Sequence, residues 1–442
     1  MKNISIFGTS SDAGKSTISW VIGKLIQRYG YSVAPFKAQN VSNNAHIADD
    51  GSEISIAQHF QAKALEVKTS WHNNPILLKS GRGNSASLIL RGRAITTKDV
   101  REYYRDLDKL KPIVDEAFEY LVDRYDVVVA EGAGSPVELN LMDKDLSNIY
   151  VATKFNTKII LIADIEKGGV FASVYGVYHL LPKELRENII GVVINKFRGD
   201  MTLFDKGVEI IESEFKIPVL GVVPYRKFNL GFEDSQSLLN YNQNCKKSKK
   251  RVAIIAYPTM SNYNDFEPLI AKSDICIEFV KSNINLSEYD TIILPGSKLV
   301  ISDLNWLKNS GLFSQIRELH EKSKTKIIGI CGGYEMLHRY IIDSDAIESS
   351  KAIKIEALGI IDADIIFQKE KIVKKDAHKY EIHHGVSTKY NSDYSKELVY
   401  GTFTHGFFVD EWFIEYEKKE IDAFCDEIGK YLDMNRIIKC IS

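Results

Sequence analysis

Two short stretches of this 442-residue sequence carry residue types at spacings that do chemistry. The first, Gly8-Thr9-Ser10-Ser11-Asp12-Ala13-Gly14-Lys15-Ser16-Thr17, is a small-residue turn that closes on Gly-Lys-Ser-Thr. Backbone N–H groups of such a turn, together with the helix it opens, point at phosphate oxygens. Gly8, Gly14 and Thr17 belong to this nucleotide-binding set, Lys15 is expected to reach the β/γ-phosphates, and the Ser16 hydroxyl to ligate Mg²⁺. Five residues separate Gly8 from Gly14, one more than in the standard phosphate loop. The second stretch, Gly329-Ile330-Cys331-Gly332-Gly333, sets a cysteine between small residues, as in a nucleophile elbow. A helix starting beneath the sulfur favours the thiolate, and His405, in Gly401-Thr402-Phe403-Thr404-His405-Gly406, is available as its base.

Both stretches need a strand before them and a helix after them. Residues 3–7 are an apolar strand, and Ile18, Val21, Ile22, Leu25 and Ile26 recur at helical spacing behind the loop. A strand over 32–36 leads to a polar segment, 41–53, whose Asn, Asp and Gly content predicts a substrate loop, and a helical pattern begins beyond it. Residues 126–130 form a buried strand ending at Glu131, which is placed to reach Mg²⁺ as the acid of a P-loop site. Apolar runs at 158–163, 189–194 and 218–223 predict further strands covered on both faces, hence a parallel sheet. Asn195 follows one of them, where it could contact the nucleotide base. Residues 239–250 lose all apolar periodicity and read as a linker. Strands resume at 252–257, 275–279, 291–294 and 326–330, the last feeding the cysteine elbow. The expected organisation is α/β: an N-terminal P-loop domain with a mainly parallel sheet over 1–238, and a second α/β domain over 251–442.

Composition narrows the class. Single cores seldom grow past ~250–300 residues, so two or three domains are expected. A net charge of -2 with mixed signs advertises no face for nucleic acid. No window approaches the ~20 apolar residues of a membrane span. Met1-Lys2-Asn3 runs straight into a strand, so a cytoplasmic location is expected. Five cysteines without a CxxC pair predict neither a disulfide framework nor a zinc site.

The long phosphate loop resembles that of dethiobiotin synthetase and its relatives, and the cysteine elbow with a later histidine resembles the class I glutamine amidotransferase domain. Leu294-Pro295-Gly296-Ser297 extends the second likeness, which implies backbone N–H donors at Ser297 and Gly332 for the oxyanion. Many members carry Glu two residues after the histidine. Phe407 stands there, and Cys331 and His405 remain a pair without an assigned third residue.

The two domains together resemble the cobyrinate amidase group of cobalamin biosynthesis. The motifs that carry this include Pro35-Phe36-Lys37-Ala38-Gln39-Asn40, Glu131-Gly132-Ala133-Gly134-Ser135-Pro136, Asn195-Lys196-Phe197-Arg198-Gly199-Asp200 and Tyr380-Glu381-Ile382-His383. The resemblance covers almost the whole chain. It implies ATP, Mg²⁺ and glutamine as ammonia donor, and amidation of the b, d, e and g carboxylates of adenosylcobyrinic acid a,c-diamide. Lys15 and Lys37 would offset charge between substrate and triphosphate, and Asp50 would join Ser16 and Glu131 on Mg²⁺. Asn43, Asn44 and residues 164–173 are candidate corrin or phosphate contacts. The a,c-diamide synthase branch typically shows Lys-x-Gly-Pro-Asp-Tyr where this chain has Lys37-Ala38-Gln39-Asn40. That branch, or another ATP-dependent glutamine amidotransferase, is the alternative. A partitioning ATPase would need a lysine at Ser10 and would leave the second domain unexplained. Glu335 replaces the usual glutamine after the elbow, His338 stands where glycine is common, and residues 341–375 look abbreviated and lysine-rich.

Overall fold

Six apolar runs of the N-terminal half form one sheet, in the order Val219–Pro224, Ile189–Phe197, Lys158–Asp164, Ile4–Gly8, Val127–Glu131, Val33–Phe36. Every pairing in it is parallel. Its central strands are buried along their length, as continuous Ile/Val/Leu runs require. The computed structural model describes residues 2–80, 85–99, 107–231, 250–322, 324–390 and 393–442.

The chain divides into two units: Met1–Ser42, Ala48–Asn229 and Tyr416–Ser442 make the first, and Asn43–Ile47 with Leu230–Glu415 make the second. This differs from the expected division in two places. The end of the chain joins the first unit, because Phe424 lies against Trp20 at 5.6 Å between ring centroids and Asp422 pairs with Lys24 at 3.1 Å. The helix Glu411–Gly429 therefore begins in one unit and ends in the other. Asn43–Ile47 lies with the second unit, and there the expected loop is instead a buried strand, Ala45–Ile47. Its apolar Ala45 and Ile47 outweigh the polar residues around it.

The second unit carries its own six-stranded sheet, in the order Ile275–Val280, Lys250–Ile255, Thr291–Leu294, Lys326–Ile330, Val399–Thr402, Tyr394–Lys396. Its pairings are parallel except at the Tyr394–Lys396 edge. The lysine-rich stretch contributes the strand Ile365–Asp376, a hairpin partner of Lys379–Ser387 whose lysines are exposed or half-buried. Except for Lys250, the expected linker lies outside the described residues. Cys331, Cys425 and Cys440 are free thiols, whereas Cys276 is disulfide-bonded where no bridge was expected. No helix among the described residues is long and apolar enough to cross a membrane.

Candidate active sites

In the first unit, Gly8 ends the central strand and Gly14 caps the helix Lys15–Arg28 at φ 93°. A side chain at Gly14 would be strained at that φ, and its Cβ would meet Asn195 Nδ2 at 2.2 Å. Lys15, Ser16 and Thr17 form the first turn of that helix, and Lys15 Nζ donates to the Ser10 carbonyl at 3.1 Å. Asn195 directs its amide nitrogen onto the Ala13 carbonyl at 2.9 Å. Lys196 Nζ donates to the Asp12 carbonyl at 2.6 Å, and both residues brace the loop from the end of their strand.

Glu131 is the centre of a buried polar cluster. Its Oε1 accepts from the Ser16 hydroxyl at 2.7 Å and from Lys37 Nζ at 2.9 Å. Gln61, on the helix Ile56–Ala64, donates to Oε2 and was not anticipated. Its signal was a pair of buried amides, Gln58 and Gln61, on an otherwise apolar helix face. A buried carboxylate needs such partners to remain charged. Asp50 takes part in a local turn. Its Oδ1 accepts from the Ser52 N–H at 3.0 Å and its Oδ2 from the Trp71 N–H at 3.3 Å, closing the polar turn that begins after Ala48. Hydroxyl and carboxylate oxygens suit Mg²⁺, which usually takes one or two carboxylates and completes its shell with water and phosphate. The Ser16 and Glu131 pair fits that pattern. Among the described residues no cluster of three or more His, Cys, Asp or Glu side chains could hold a metal.

In the second unit, Lys326–Ile330 delivers Cys331 to the start of the helix Gly332–Leu337. Cys331 sits at φ 51°, ψ -112°, a left-handed conformation rare for a side-chain-bearing residue, and its N–H is anchored to the Thr402 carbonyl at 2.7 Å. His405 interacts with the Cys331 sulfur on one side. On the other, its Nδ1 meets Asp265 Oδ2 at 2.7 Å, and Asp265 Oδ1 accepts the Gly406 N–H at 2.8 Å. Burial alone would lower the His405 pKa, but the Asp265 carboxylate and the Cys331 sulfur together raise it to about 10. Asp265 supplies the third residue that could not be assigned from sequence. It precedes His405 by 140 positions, on the turn Tyr263–Phe266, and Phe407 instead stacks on Tyr400.

Ser297 and Gly332, the expected oxyanion donors, lie side by side at the elbow. A Cβ on Gly332 would stand 2.9 Å from the Ser297 nitrogen, so the two backbones touch. Asp303 accepts from the Ser297 hydroxyl at 2.6 Å and the Thr259 hydroxyl at 2.7 Å, which fixes the loop carrying Ser297. Glu335 is fully buried near Cys331, and desolvation first, then the Cys331 and Glu348 charges, push its pKa well above the usual range. It stands in the elbow helix as a buried carboxyl group where a glutamine is usual. His338 bridges the Tyr334 carbonyl at 2.9 Å and the Ser387 hydroxyl at 3.0 Å, a structural role.

Comparison with known proteins finds two families along the chain. Residues 4–232 match the CobQ/CobB/MinD/ParA nucleotide binding domain, and residues 251–412 the CobB/CobQ-like glutamine amidotransferase domain. A cobyric acid synthase of Acinetobacter baylyi is 54% identical over 100% of this chain and 99% of its own length. A probable cobyric acid synthase of Picrophilus torridus is 37% identical over 99% of this chain and 94% of its own. One from Caldanaerobacter subterraneus subsp. tengcongensis is 35% identical over 98% and 97%.

Proposed function

The chain belongs to the cobyric acid synthase family, and on that premise we propose that it amidates the b, d, e and g carboxylates of adenosylcobyrinic acid a,c-diamide with ammonia drawn from glutamine. The observation that carries the reading is the Cys331–His405–Asp265 array in one unit with a phosphate loop and the Ser16–Lys37–Glu131 cluster in the other. Glutaminase chemistry is assigned to the second unit and ATP-dependent synthesis to the first.

In the glutaminase, the Cys331 sulfur attacks the side-chain amide carbon of glutamine, and the oxygen takes up negative charge opposite the Ser297 and Gly332 N–H groups. His405 gives its proton to the departing nitrogen, the C–N bond breaks, and a thioester remains. Water, deprotonated by His405, then releases glutamate and restores the sulfur. Asp265 keeps the imidazole oriented and offsets its positive charge. In the synthetase, a corrin carboxylate attacks the γ-phosphorus of ATP and ADP leaves. Ammonia displaces phosphate from the acyl phosphate to give the amide. Lys15 and Lys37 offset the charge that gathers there, while Gly8, Gly14, Ser16 and Thr17 form the cradle. Mg²⁺, held by Ser16 and Glu131, would supply further charge neutralisation at the phosphates. In this reading Asp50 would join Ser16 and Glu131 on Mg²⁺, Asn195 contacts the nucleotide base, and the protein works in the cytoplasm.

The test is turnover with adenosylcobyrinic acid a,c-diamide, followed by mass spectrometry of the corrinoid. Stepwise losses of about one mass unit per carboxylate converted to amide are expected with glutamine or ammonium. An unchanged corrinoid despite ATP hydrolysis would overturn the substrate assignment.

A further inference from the structure

We infer that Asn44 is a positioning residue of the glutaminase: it fixes Asn262, and through Asn262 the turn that presents Asp265 to His405. Asn44 is buried in the second unit, although it follows Lys37 of the phosphate-site cluster by only seven positions. Its Oδ1 accepts the Asn262 N–H at 2.7 Å. Asn262 is itself buried and left-handed, at φ 58° and ψ 52°, immediately before the turn Tyr263–Phe266. Its carbonyl receives the Asp265 N–H at 3.1 Å. Such a conformation holds only where the surroundings determine it, and a buried N–H stripped of its acceptor is costly.

A second path runs through the same few residues. Asn262 Nδ2 donates to Tyr380 Oη at 3.0 Å, and that hydroxyl donates to the Ala45 carbonyl at 3.1 Å. The Tyr380 ring lies over His405 at 5.1 Å and 27°, and His46 stands against the same ring at 4.2 Å between centroids. Asp265, Cys331, Tyr380 and His383 are the titratable groups that face His405. Asp265 and Tyr380 are both tied to Asn262. A segment belonging by sequence to the synthetase half thus sets the geometry of the glutaminase.

This inference rests on the glutaminase reading of Cys331, and its test separates the two. Full-length wild type and Asn44→Ala are compared in glutaminase kcat and KM, in the pH profile of kcat/KM, and in ammonium-supported amidation. Misplacing a catalytic group by about 1 Å can cost about 10²-fold, so kcat is expected to fall about tenfold or more with KM little changed. Loosening Asp265 lets burial lower the His405 pKa, so the alkaline limb moves about one unit towards lower pH. Ammonium-supported amidation is expected to hold at the wild-type rate. An unchanged kcat and limb overturn the inference. So does a loss shared equally by glutamine- and ammonium-supported amidation with the limb unmoved, which would make Asn44 a corrin contact or a general structural residue. If Asn44→Ala does not fold, Tyr380→Phe carries the same criteria, since it keeps the ring on His405 and removes only the hydroxyl between Ala45 and Asn262. A wild type without glutaminase activity would overturn the reading of Cys331 itself.

Discussion

The phosphate site and the glutaminase site solve the problem of placing charged groups in opposite ways. The first takes most of its parts from ten consecutive residues, 8–17, because phosphate is held largely by backbone N–H groups of one loop and one helix end. Glu131, Lys37 and Gln61 arrive from elsewhere, and Asn195 and Lys196 brace the loop from another strand. The glutaminase draws Cys331, His405, Asp265 and Ser297 from four separate segments, and its carboxylate comes from before the nucleophile in the chain. A site made of backbone is written as spacing, whereas a site made of side chains on different elements is written only in the packing.

Four measurements would break or sharpen that contrast. The largest effect belongs to Cys331→Ala, which should abolish glutamine-supported amidation while ammonium still supports it. Loss of both would deny that the sites are separate. Asp265→Asn should cost the glutaminase about 10³–10⁴-fold in kcat, the scale at which an orienting acid acts on its imidazole, with ammonium-supported amidation spared. A loss below tenfold would remove Asp265 from the array. On the phosphate side, Glu131→Gln should lower amidation from either nitrogen source about 10²-fold or more and leave glutamine hydrolysis in place. Gentlest of the four is a pH effect on stability. Desolvation holds the pKa of buried His338 at about 4 in the folded state, against 6.5 when exposed. The folded unit then binds fewer protons than the unfolded chain between those values. Stability should hold above pH 6.5 and fall as the pH drops towards 4, by up to about 3 kcal/mol from this group. His338→Gln should flatten that slope in urea titrations at successive pH values.

The six strands of the first sheet and the elbow strand were legible because continuous Ile/Val/Leu runs leave few other readings. The phosphate loop and Cys331 were legible from glycine placement. Asp265 was not, because an acid on a short polar turn looks like any loop carboxylate until His405 lies 2.7 Å away. Residues 41–53 misled for a related reason. Their Asn and Asp content signals an exposed loop, yet Asn44 and His46 are buried because their polar atoms find partners.

The helix Glu411–Gly429 passes from one unit to the other without a break, and Asn43–Ile47 makes the opposite crossing. Recombination at the linker would therefore yield neither half whole. The glutaminase would lose Asn44 and the Ala45 carbonyl, and the synthetase would lose Phe424 and Asp422 from the helix that packs on Trp20 and Lys24. Enzymes joined only by a tether can trade modules in evolution, but these two activities are interleaved along one chain and must be inherited, or engineered, as a pair.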